Sequence, residues 1–473
     1  MKRQLASVAL LSVAISAAYS QTAPLVIGRY ADLFLHDKVL IAHSDGLRLV
    51  HAEARKHPRN PILISDQPFE KGRVSYACVI HDVPEKLYKM WYEVLDSNDY
   101  GSLHYAVSKD GIAWEKPRLN LIEWEGSKAN NIVFLPVKPK KAKAYWVIKD
   151  YSEPDPARRY KMMHHRYDFR GRGVATAESP DGLHWTTRDY SSLVGEFDTH
   201  NLMFWDDRVG SFVAYLRFMI AGRRNFGRST SPDGYHWSSP VPVHGPDAAD
   251  PADREVYTPG VFKYGKARDV YVMLASMYDR GTNDVRGQLG VSRDGISFHR
   301  FRDDILPSGG PNEWDRGTIY PIGSEVTVDG KSALYYTGNN LGHVLQIGNP
   351  GIGLALMHEG GFAGWRADGS GVLTTQLLTV RYVQDWLYLN AEASGGTVEA
   401  ELLDPAGRVI PGFSRREFQP LREGGAMLLL RWKDLRALEE VLARGPFRLR
   451  LHVERATVYG IQCRLRPKAE MPL

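Results

Sequence analysis

The chain has 473 residues and a net charge of +5, and its composition, 43% hydrophobic and 24% charged, is that of an ordinary globular protein. This length exceeds what one hydrophobic core usually organises, so one large and one smaller domain are expected. The small net charge and the lack of a basic tail argue against nucleic-acid binding. The two cysteines, Cys78 and Cys463, exclude a disulfide framework and a zinc site built from cysteines.

The first twenty residues have the pattern of a signal peptide. Lys2 and Arg3 precede an apolar run over 5–18, and small residues follow it that allow cleavage after Ser20. The run is shorter than the roughly 20 residues of a spanning helix, and no later segment qualifies. We therefore expect a secreted or periplasmic protein without a membrane span, whose mature chain begins near Gln21.

One turn motif, Ser-x-Asp-Gly-x-x-Trp or Phe, recurs four times along the chain. Its Asp-Gly pairs are Asp110-Gly111, Asp181-Gly182, Asp233-Gly234 and Asp294-Gly295, and a degenerate fifth copy lies at 357–362. Asp-Gly between two apolar runs is a strong hairpin signal, because glycine accepts a positive φ and aspartate bonds to the turning backbone. Copies at intervals of roughly sixty residues, each among strand-like runs, predict five four-stranded blades of a β-propeller.

This template places the five-bladed propeller at 66–366, with the repeated turns as scaffold. It assigns strands of the first blade to 74–82, 87–94 and 102–108, and a fourth strand beginning directly after the turn at Ile112. In the third blade the fourth strand is likewise expected to begin at Tyr235. The inner strands of blades two to five are expected to begin near Asn131, Asn201, Tyr257 and Thr318. Residues 21–65 are expected to wrap the propeller as strands before blade one.

After Trp365 the repeat ends, but strand-like runs continue. They cover 372–380, 386–391, 397–403, 427–432 and 447–454, with a short helical stretch near 434–443. Strands without the period of the blades are typical of a β-sandwich. The predicted fold class is therefore all-β, a five-bladed β-propeller followed by a C-terminal β-sandwich over 367–473.

Carboxylates stand before several predicted inner strands, in loops that should open on one face of the propeller. Glu70 precedes blade one, and Asp198, Glu255 and Asp315 precede blades three, four and five. Cleavage of a glycosidic bond needs a carboxylic acid to protonate the departing oxygen and a carboxylate as nucleophile or base. We therefore expect these four residues to be catalytic, with the last three converging on the central funnel. The alternative is that each caps a turn or pairs with a nearby arginine.

The loops joining second and third strands are basic. They carry Arg166, Arg170 and Arg172, then Arg217, Arg223 and Arg224, and then Arg280 and Arg286. Guanidinium groups bind planar anions in a bidentate manner, which favours a uronate or sulfated sugar as ligand, or else they neutralise the carboxylates. The expected substrate-binding residues are Arg73, Arg166, His200, Asn201, Arg217, Tyr257 and His343.

The sequence resembles the five-bladed propeller glycoside hydrolases of families 32, 43, 68 and 117, and bacterial exported proteins described as similar to family 32. The resemblance covers 66–365 and is carried by the repeated turns, by Tyr-Lys-Met-Trp-Tyr at 88–92 and by Phe-Asp-Thr-His-Asn at 197–201. It implies that Asp198 is the base or nucleophile, Glu255 the acid and Asp315 the residue that tunes their pKa values. The family's first carboxylate belongs to blade one, where this chain has Glu70, and the usual Trp-x-Asn-Asp-Pro and Arg-Asp-Pro signatures are absent.

The expected function is that of an exported glycoside hydrolase acting on an oligo- or polysaccharide of plant or algal type, including anionic ones. A non-catalytic carbohydrate-binding propeller and an arginine-using polysaccharide lyase remain alternatives. A sialidase is disfavoured, since its Asp-box has a residue between Asp and Gly and its propeller has six blades. No cofactor is expected, while a central structural cation, the oligomeric state, the linkage and the stereochemistry stay open.

Overall fold

A computed structural model describes residues 23–98, 100–136, 141–168, 171–187, 192–344, 348–382 and 385–465. The predicted signal peptide lies outside these ranges. Strands dominate the described residues, and helix is limited there to α1 (Leu435–Arg444) and a 3-10 turn at Pro156–Arg158. This confirms the all-β class. Within the described part of the chain, no helix is long and apolar enough to cross a membrane.

Six short strands come first: β1 (Leu25–Ile27), β2 (Asp32–Leu33), β3 (Ile41–Asp45), β4 (Arg48–Val50), β5 (Arg55–Lys56) and β6 (Leu63–Ile64). All six pair with strands much later in the sequence. This lead-in therefore has no sheet of its own.

Five antiparallel units follow one another, and we number them 1 to 5. Unit 1 contains β7 (Arg73–Asp82), β8 (Leu87–Leu95), β9 (Gly101–Ser108) and β10 (Ile132–Phe134). Unit 2 contains β11 (Ala142–Lys149), β12 (Tyr160–Asp168), β13 (Gly171–Ser179), β14 (Thr186–Thr187) and β15 (Leu193–Val194). Unit 3 contains β16 (Leu202–Asp206), β17 (Ser211–Ile220), β18 (Arg223–Ser231) and β19 (Val241–His244).

The last two units share one continuous sheet. Unit 4 contains β20 (Arg254–Thr258), β21 (Val261–Lys263), β22 (Tyr271–Asp279), β23 (Asp284–Ser292) and β24 (His299–Leu306). Unit 5 contains β25 (Thr318–Pro321), β26 (Val326–Val328), β27 (Lys331–Asn339) and β28 (Gly351–Met357), with β5 and β6 at its outer edge. A single parallel pair, Val285 with Thr318, joins the two units.

The repeated motif forms the same turn in units 1 to 4. In unit 1, Ser108 Oγ donates to Asp110 Oδ1 at 2.8 Å and accepts from Gly111 N at 2.9 Å. The same two bonds recur in the other three copies. The glycine has a φ of 75° in unit 1 and of 70° to 79° in the others, a conformation that other residues rarely adopt. The predicted turn chemistry is confirmed.

Contacts run from unit to unit and return to the first. Trp91 of unit 1 donates to Gly182 O of unit 2 at 2.7 Å, Tyr215 of unit 3 to Gly295 O of unit 4 at 2.6 Å, and Tyr335 of unit 5 to Gly111 O of unit 1 at 2.7 Å. Trp146 Nε1 of unit 2 donates to Met203 O of unit 3 at 2.9 Å. One buried apolar cluster includes side chains from all five units. The second strands are therefore buried on both faces, as in β22, where every residue before Asp279 is buried.

The outer strands differ from the prediction. In unit 1 the segment after the turn makes a bridge at Glu115, and the fourth strand begins at Ile132 instead of Ile112. In unit 3 the fourth strand, β19, begins at Val241 and not at Tyr235. The first strand of unit 2 is β11 and not a strand near Asn131, because that asparagine bonds to Tyr105 O at the edge of unit 1. In unit 5 the outer edge is made by β5 and β6 of the lead-in, which pair with β28.

The remaining strands form two further sheets, except β31, which makes a two-stranded parallel sheet with β1. They are β29 (Gly364–Arg366), β30 (Ser370–Thr375), β31 (Leu378–Val380), β32 (Asp385–Glu392), β33 (Thr397–Leu403), β34 (Gly424–Leu429), β35 (Arg448–Glu454) and β36 (Thr457–Leu465). One sheet has the order β34-β32-β36-β29-β4, with β2 beside β36, and the other has the order β3-β30-β35-β33. Leu389 of the first sheet and Leu451 of the second belong to one buried cluster. The lead-in thus contributes strands to both sheets.

Candidate active site

The starts of the first strands of all five units line one pocket. Its lining includes Arg73, Tyr76, Lys143, Asp198, Thr199, Tyr257, Tyr320 and His343. The pocket has a volume of about 110 Å³ and opens to solvent. Each unit contributes to it because the five first strands point the same way. Charged and aromatic side chains from segments far apart in sequence therefore meet here.

Asp198 is the carboxylate of this pocket. Its Oδ1 lies 3.0 Å from Lys143 Nζ, and its Oδ2 lies 3.9 Å from a guanidinium nitrogen of Arg217. Burial acts to raise the pKa of Asp198, but the charge of Lys143, with that of Arg217, outweighs it and holds the pKa below its usual range. The side chain is 28% exposed. Asp198 is therefore an ionised carboxylate that a ligand can reach.

Arg217 lies beneath Asp198 and against Tyr257. Its side chain is buried, and its guanidinium carbon lies 5.3 Å from the centre of the Tyr257 ring. The Nε atom of Arg217 has no hydrogen-bond partner among the residues that the structure describes. Arg224 lies over the same ring at 5.5 Å. Two guanidinium groups thus lie within cation–π distance of the Tyr257 ring.

His343 closes the pocket from unit 5. Its Nδ1 lies 2.6 Å from the hydroxyl of Tyr320, and its ring centre lies 4.4 Å from that of Tyr257. Burial, together with the charges of Arg224, Arg217 and Arg73, lowers the pKa of His343 to about 4. The imidazole is therefore neutral at pH 7 and has one nitrogen that can accept a proton.

Glu70 and Asp315 do not line the pocket. Glu70 accepts hydrogen bonds from the Tyr92 hydroxyl at 2.6 Å and from Lys116 Nζ at 2.8 Å. Asp315 accepts a bond from the Tyr336 hydroxyl at 2.8 Å, and its Oδ2 lies 2.6 Å from Nζ of a lysine on β5. Each carboxylate ties the loop before a first strand to the outer edge of its own unit. This corrects the expectation that Asp315 converges on the funnel and that Glu70 belongs to the catalytic group.

Glu255 borders the pocket without lining it. Glu255 and Tyr257 both lie on β20, and Arg224 contacts both side chains. Its carboxylate is 1% exposed, forms an ion pair with Arg224 and lies 3.5 Å from Arg280. Glu255 is therefore connected to the pocket through Arg224.

Three expected substrate-binding residues are buried parts of the scaffold. Arg166 lies buried on β12 and is not part of the pocket lining. His200 Nε2 donates to Tyr145 O at 3.0 Å, and burial lowers the pKa of His200 to about 4. Asn201 Nδ2 donates to Phe197 O and Thr199 O at 2.6 and 3.1 Å. The last two residues therefore shape the loop that carries Asp198 and do not belong to the pocket lining.

Most of the other arginines predicted to bind substrate-like anions form ion pairs or donate to backbone carbonyls. Arg172 binds Glu196, Arg223 donates to Arg254 O, and Arg286 donates to Gly317 O and pairs with Asp284. Arg170 lies outside the described residues. The pocket therefore depends on Arg73 and Arg217 from the predicted set.

Lys143, Tyr76 and Tyr320 were not predicted. Lys143 stands at a bulge before Ala144, which has a φ of 56° and donates from its backbone N to the carboxylate of Glu93. Glu93 is 1% exposed, and burial raises its pKa to about 7. The left-handed backbone conformation of Ala144 costs about 1–2 kcal/mol of conformational energy. Strained residues of this kind are concentrated at functional sites, and this one lies beside the pocket. No local sequence pattern marks this bulge.

Metal ligands do not cluster in this region. Across the described residues, no group of three or more His, Cys, Asp or Glu side chains could hold a metal ion.

No protein-family model matches the sequence, and no curated protein matches it. Among solved structures, the chain is similar to a thermostable family-43 glycoside hydrolase, at 15% identity and a TM-score of 0.44 over 64% of this chain and 92% of that one. It is similar to a glycosyl hydrolase from Bacteroides ovatus, at 14% identity and a TM-score of 0.45 over 66% and 94%. It is also similar to an N-acetylgalactosamine deacetylase from F. plautii in complex with blood group B trisaccharide, at 14% identity and a TM-score of 0.44 over 66% and 95%. Two of these three are described as glycoside or glycosyl hydrolases.

Proposed function

We propose that the chain is an exported glycoside hydrolase that acts on an acidic glycan, a uronate or sulfated sugar, in the central pocket. The observation that carries this proposal is one ionised carboxylate, Asp198, beside Arg73, Lys143 and Arg217 in a pocket with tyrosine walls. A carboxylate alone would repel an anionic sugar. Cations beside it offset that repulsion, and guanidinium groups match the planar geometry of a carboxylate.

The proposal includes the architecture. Units 1 to 5 are the blades of a five-bladed propeller over 66–366, and the two C-terminal sheets are a β-sandwich over 367–473. The return of contacts from unit 5 to unit 1 supports closure, as does the convergence of five first strands on one pocket. Strands β5 and β6 close the last blade, and β2, β3 and β4 complete the sandwich.

In this reaction Asp198 acts as nucleophile, or as base for the attacking water. Glu255 is the proton donor, because it is the second predicted carboxylate that borders the pocket. In the free protein Arg224 holds it. An anionic group of the substrate would compete with Glu255 for Arg224 and so open this ion pair.

The test is turnover of a panel of uronate-containing and sulfated oligosaccharides, each compared with its neutral, carboxyl-reduced or desulfated form. We expect preference for the acidic form, and losses of about 10²-fold or more in kcat for Asp198→Asn and Glu255→Gln, the usual contribution of a group that transfers a proton. Equal binding by wild type and both variants without turnover would instead establish a carbohydrate-binding protein.

A polysaccharide lyase is the second candidate, favoured by the excess of cations over carboxylates and by neutral His343. In that reaction a cation stabilises the uronate carboxylate while a neutral base removes the adjacent carbon-bound proton. The products distinguish the two reactions. A lyase leaves an unsaturated, ultraviolet-absorbing sugar at the new end, whereas hydrolysis adds water and leaves none. His343→Gln would abolish lyase activity.

A further inference from the structure

The far ends of the same five first strands line a second, larger cavity. His81, Lys149, Trp205, Lys263 and Glu325 belong to its wall, one from each unit. Between this cavity and the central pocket the strands carry buried side chains, among them Cys78, Val261 and Ile322, none more than 2% exposed. The two cavities therefore lie at opposite ends of the five units and are separated by a packed core.

Exposed aromatic rings surround this second cavity. Tyr30, Tyr151 and Trp205 are 51%, 57% and 38% exposed. Folded monomers rarely leave several large rings in solvent around one concavity, so such a group marks a binding surface. The charged neighbours are already engaged, since Lys149 binds Asp82 at 2.6 Å and Asp150 lies 3.2 Å from Nζ of a buried lysine on β12. The rings are thus the groups left to contact a ligand.

A basic cleft continues from the aromatic cavity. The two share Tyr30, Gly265 and Arg268 in their walls. Arg29, Arg381 and Arg464 line this cleft, and none has an ion-pair partner among the side chains that the structure describes. Guanidinium groups gathered without counter-charge favour an anionic ligand, which would relieve their mutual repulsion.

We infer that this continuous surface, which we call the rear groove, is a second binding site for an acidic glycan chain. Neutral faces of the sugars would pack on Tyr30, Tyr151 and Trp205, and carboxylate or sulfate groups would bind Arg381 and Arg464. The groove would hold a polymer while the central pocket acts on it. The inference shares only its ligand class with the proposed function.

A nucleic acid fits the rear groove less well. It carries a phosphate at every nucleotide and needs cations alongside the stacking rings. The aromatic part of the groove instead has Asp207, Asp269 and Glu325 in its wall, and its cations are paired. Charge and rings are thus separated along the groove. This separation matches a glycan chain, whose sugar faces can pack on the rings while its acidic groups bind the arginines.

The test measures binding of polygalacturonate, and of its carboxyl-reduced form, by affinity electrophoresis in the Asp198→Asn background, where turnover cannot consume the polymer. We expect Arg381→Gln with Arg464→Gln to weaken retention by polygalacturonate about tenfold or more, since two charge-assisted contacts are lost. Trp205→Ala with Tyr151→Ala should weaken retention by both polymers. The matched control is Arg408→Gln, an arginine 80% exposed in a turn of the C-terminal sheets. All these positions are exposed, and equal melting temperatures would confirm folding.

Retention by polygalacturonate that is unchanged in both double variants would overturn the inference, as would tighter binding to a DNA oligonucleotide or to anionic vesicles than to polygalacturonate. These outcomes are independent of the central pocket. If the wild type turns over no glycan but the double variants still lose retention, the proposed function is wrong and the rear groove stands. If wild type and variants hydrolyse short acidic substrates equally and bind the polymer equally, the function stands and the groove is wrong.

Discussion

In unit 1 the hydroxyl of Tyr92 donates a hydrogen bond to Glu70, and in unit 5 the hydroxyl of Tyr336 donates one to Asp315 in the same way. In both places the hydroxyl also accepts a bond from an asparagine amide on the outer edge of the unit, Asn131 at 2.7 Å in unit 1 and Asn60 at 3.1 Å in unit 5. A lysine completes each set. Units 1 and 5 thus contain the same hydrogen-bonded cluster, which we call the clamp. It joins the loop before the first strand to the outer edge of the unit.

Glu70→Ala tests the clamp. We expect it to lower the free energy of unfolding by about 3 kcal/mol, the lower end of the range for breaking a buried ion pair, because Lys116 keeps Asp66 as a second partner. Tyr92→Phe, which removes only a hydroxyl, should cost about 1–3 kcal/mol. Urea unfolding gives both values. Unchanged stability in Glu70→Ala together with lost turnover would restore the catalytic role expected from the sequence.

Arg217→Lys tests whether the guanidinium group of Arg217 binds the anionic group of the substrate. We expect a weaker affinity for an acidic oligosaccharide despite the preserved charge, by about tenfold, because lysine lacks the planar fork that binds a carboxylate twice. Titration calorimetry with the acidic oligosaccharide and its neutral counterpart measures this. Arg172→Lys, an exposed arginine paired with Glu196, is the control. If Arg217→Lys weakens both ligands equally, Arg217 only neutralises Asp198.

Buried histidines predict a loss of stability in acid. Six of the described histidines, His104, His164, His165, His200, His244 and His343, have pKa values lowered to about 4 by burial. Between their usual pKa of 6.5 and about 4 the unfolded chain binds more protons than the native one, so stability falls as pH falls through this window. Melting temperatures from pH 7.5 to 4.5 measure the slope.

His165→Met provides the matched variant, since neither ring nitrogen of His165 has a hydrogen-bond partner among the described residues. It should raise the melting temperature at pH 5 more than at pH 7.5. An equal effect at both pH values would mean that this histidine is not held neutral.

Glu93 predicts the opposite slope. Burial raises its pKa to about 7 from a usual value of 4.5, and Lys143 and Arg73 act only partly against this. Above pH 4.5 the unfolded state gives up its proton first, so the contribution of Glu93 to stability is lost as pH rises through about 7. Glu93→Gln keeps an acceptor for Ala144 N and should raise the melting temperature at pH 8 relative to pH 5. A shift of the same size at both pH values would contradict a raised pKa.

The sequence predicted what local chemistry decides. Asp-Gly with a nearby serine has one low-energy turn, so units 1 to 4 could be counted, and the first three strands of unit 1 were placed to within one residue at each end. Because a template of strands fixes which loops share a face, it also predicted that Asp198, Arg73, Arg217, Tyr257 and His343 lie near one another. All five border the pocket or lie directly beneath its lining.

The rest depended on contacts between distant residues. Glu70 and Asp315 stand at the same position as Asp198, before a first strand, and only their tyrosine and lysine partners turn them away from the funnel. Lys143 was missed because the first strand of unit 2 begins later than the template placed it, behind a bulge without a turn residue. The outer edge of unit 5 comes from the other end of the sequence, where no repeat could reveal it.

The outer edge of unit 5 determines how late in synthesis the chain can finish folding. Asn60 of the lead-in donates to Leu354 O, a residue 294 positions later. The ribosome therefore synthesises β5 and β6 early and their partner strand β28 late. A pairing between residues so far apart in the sequence forms slowly. Until unit 5 emerges, β5 and β6 lack the strand with which they pair. For the export proposed above, such a delay is an advantage, because translocation can begin before this last pairing forms.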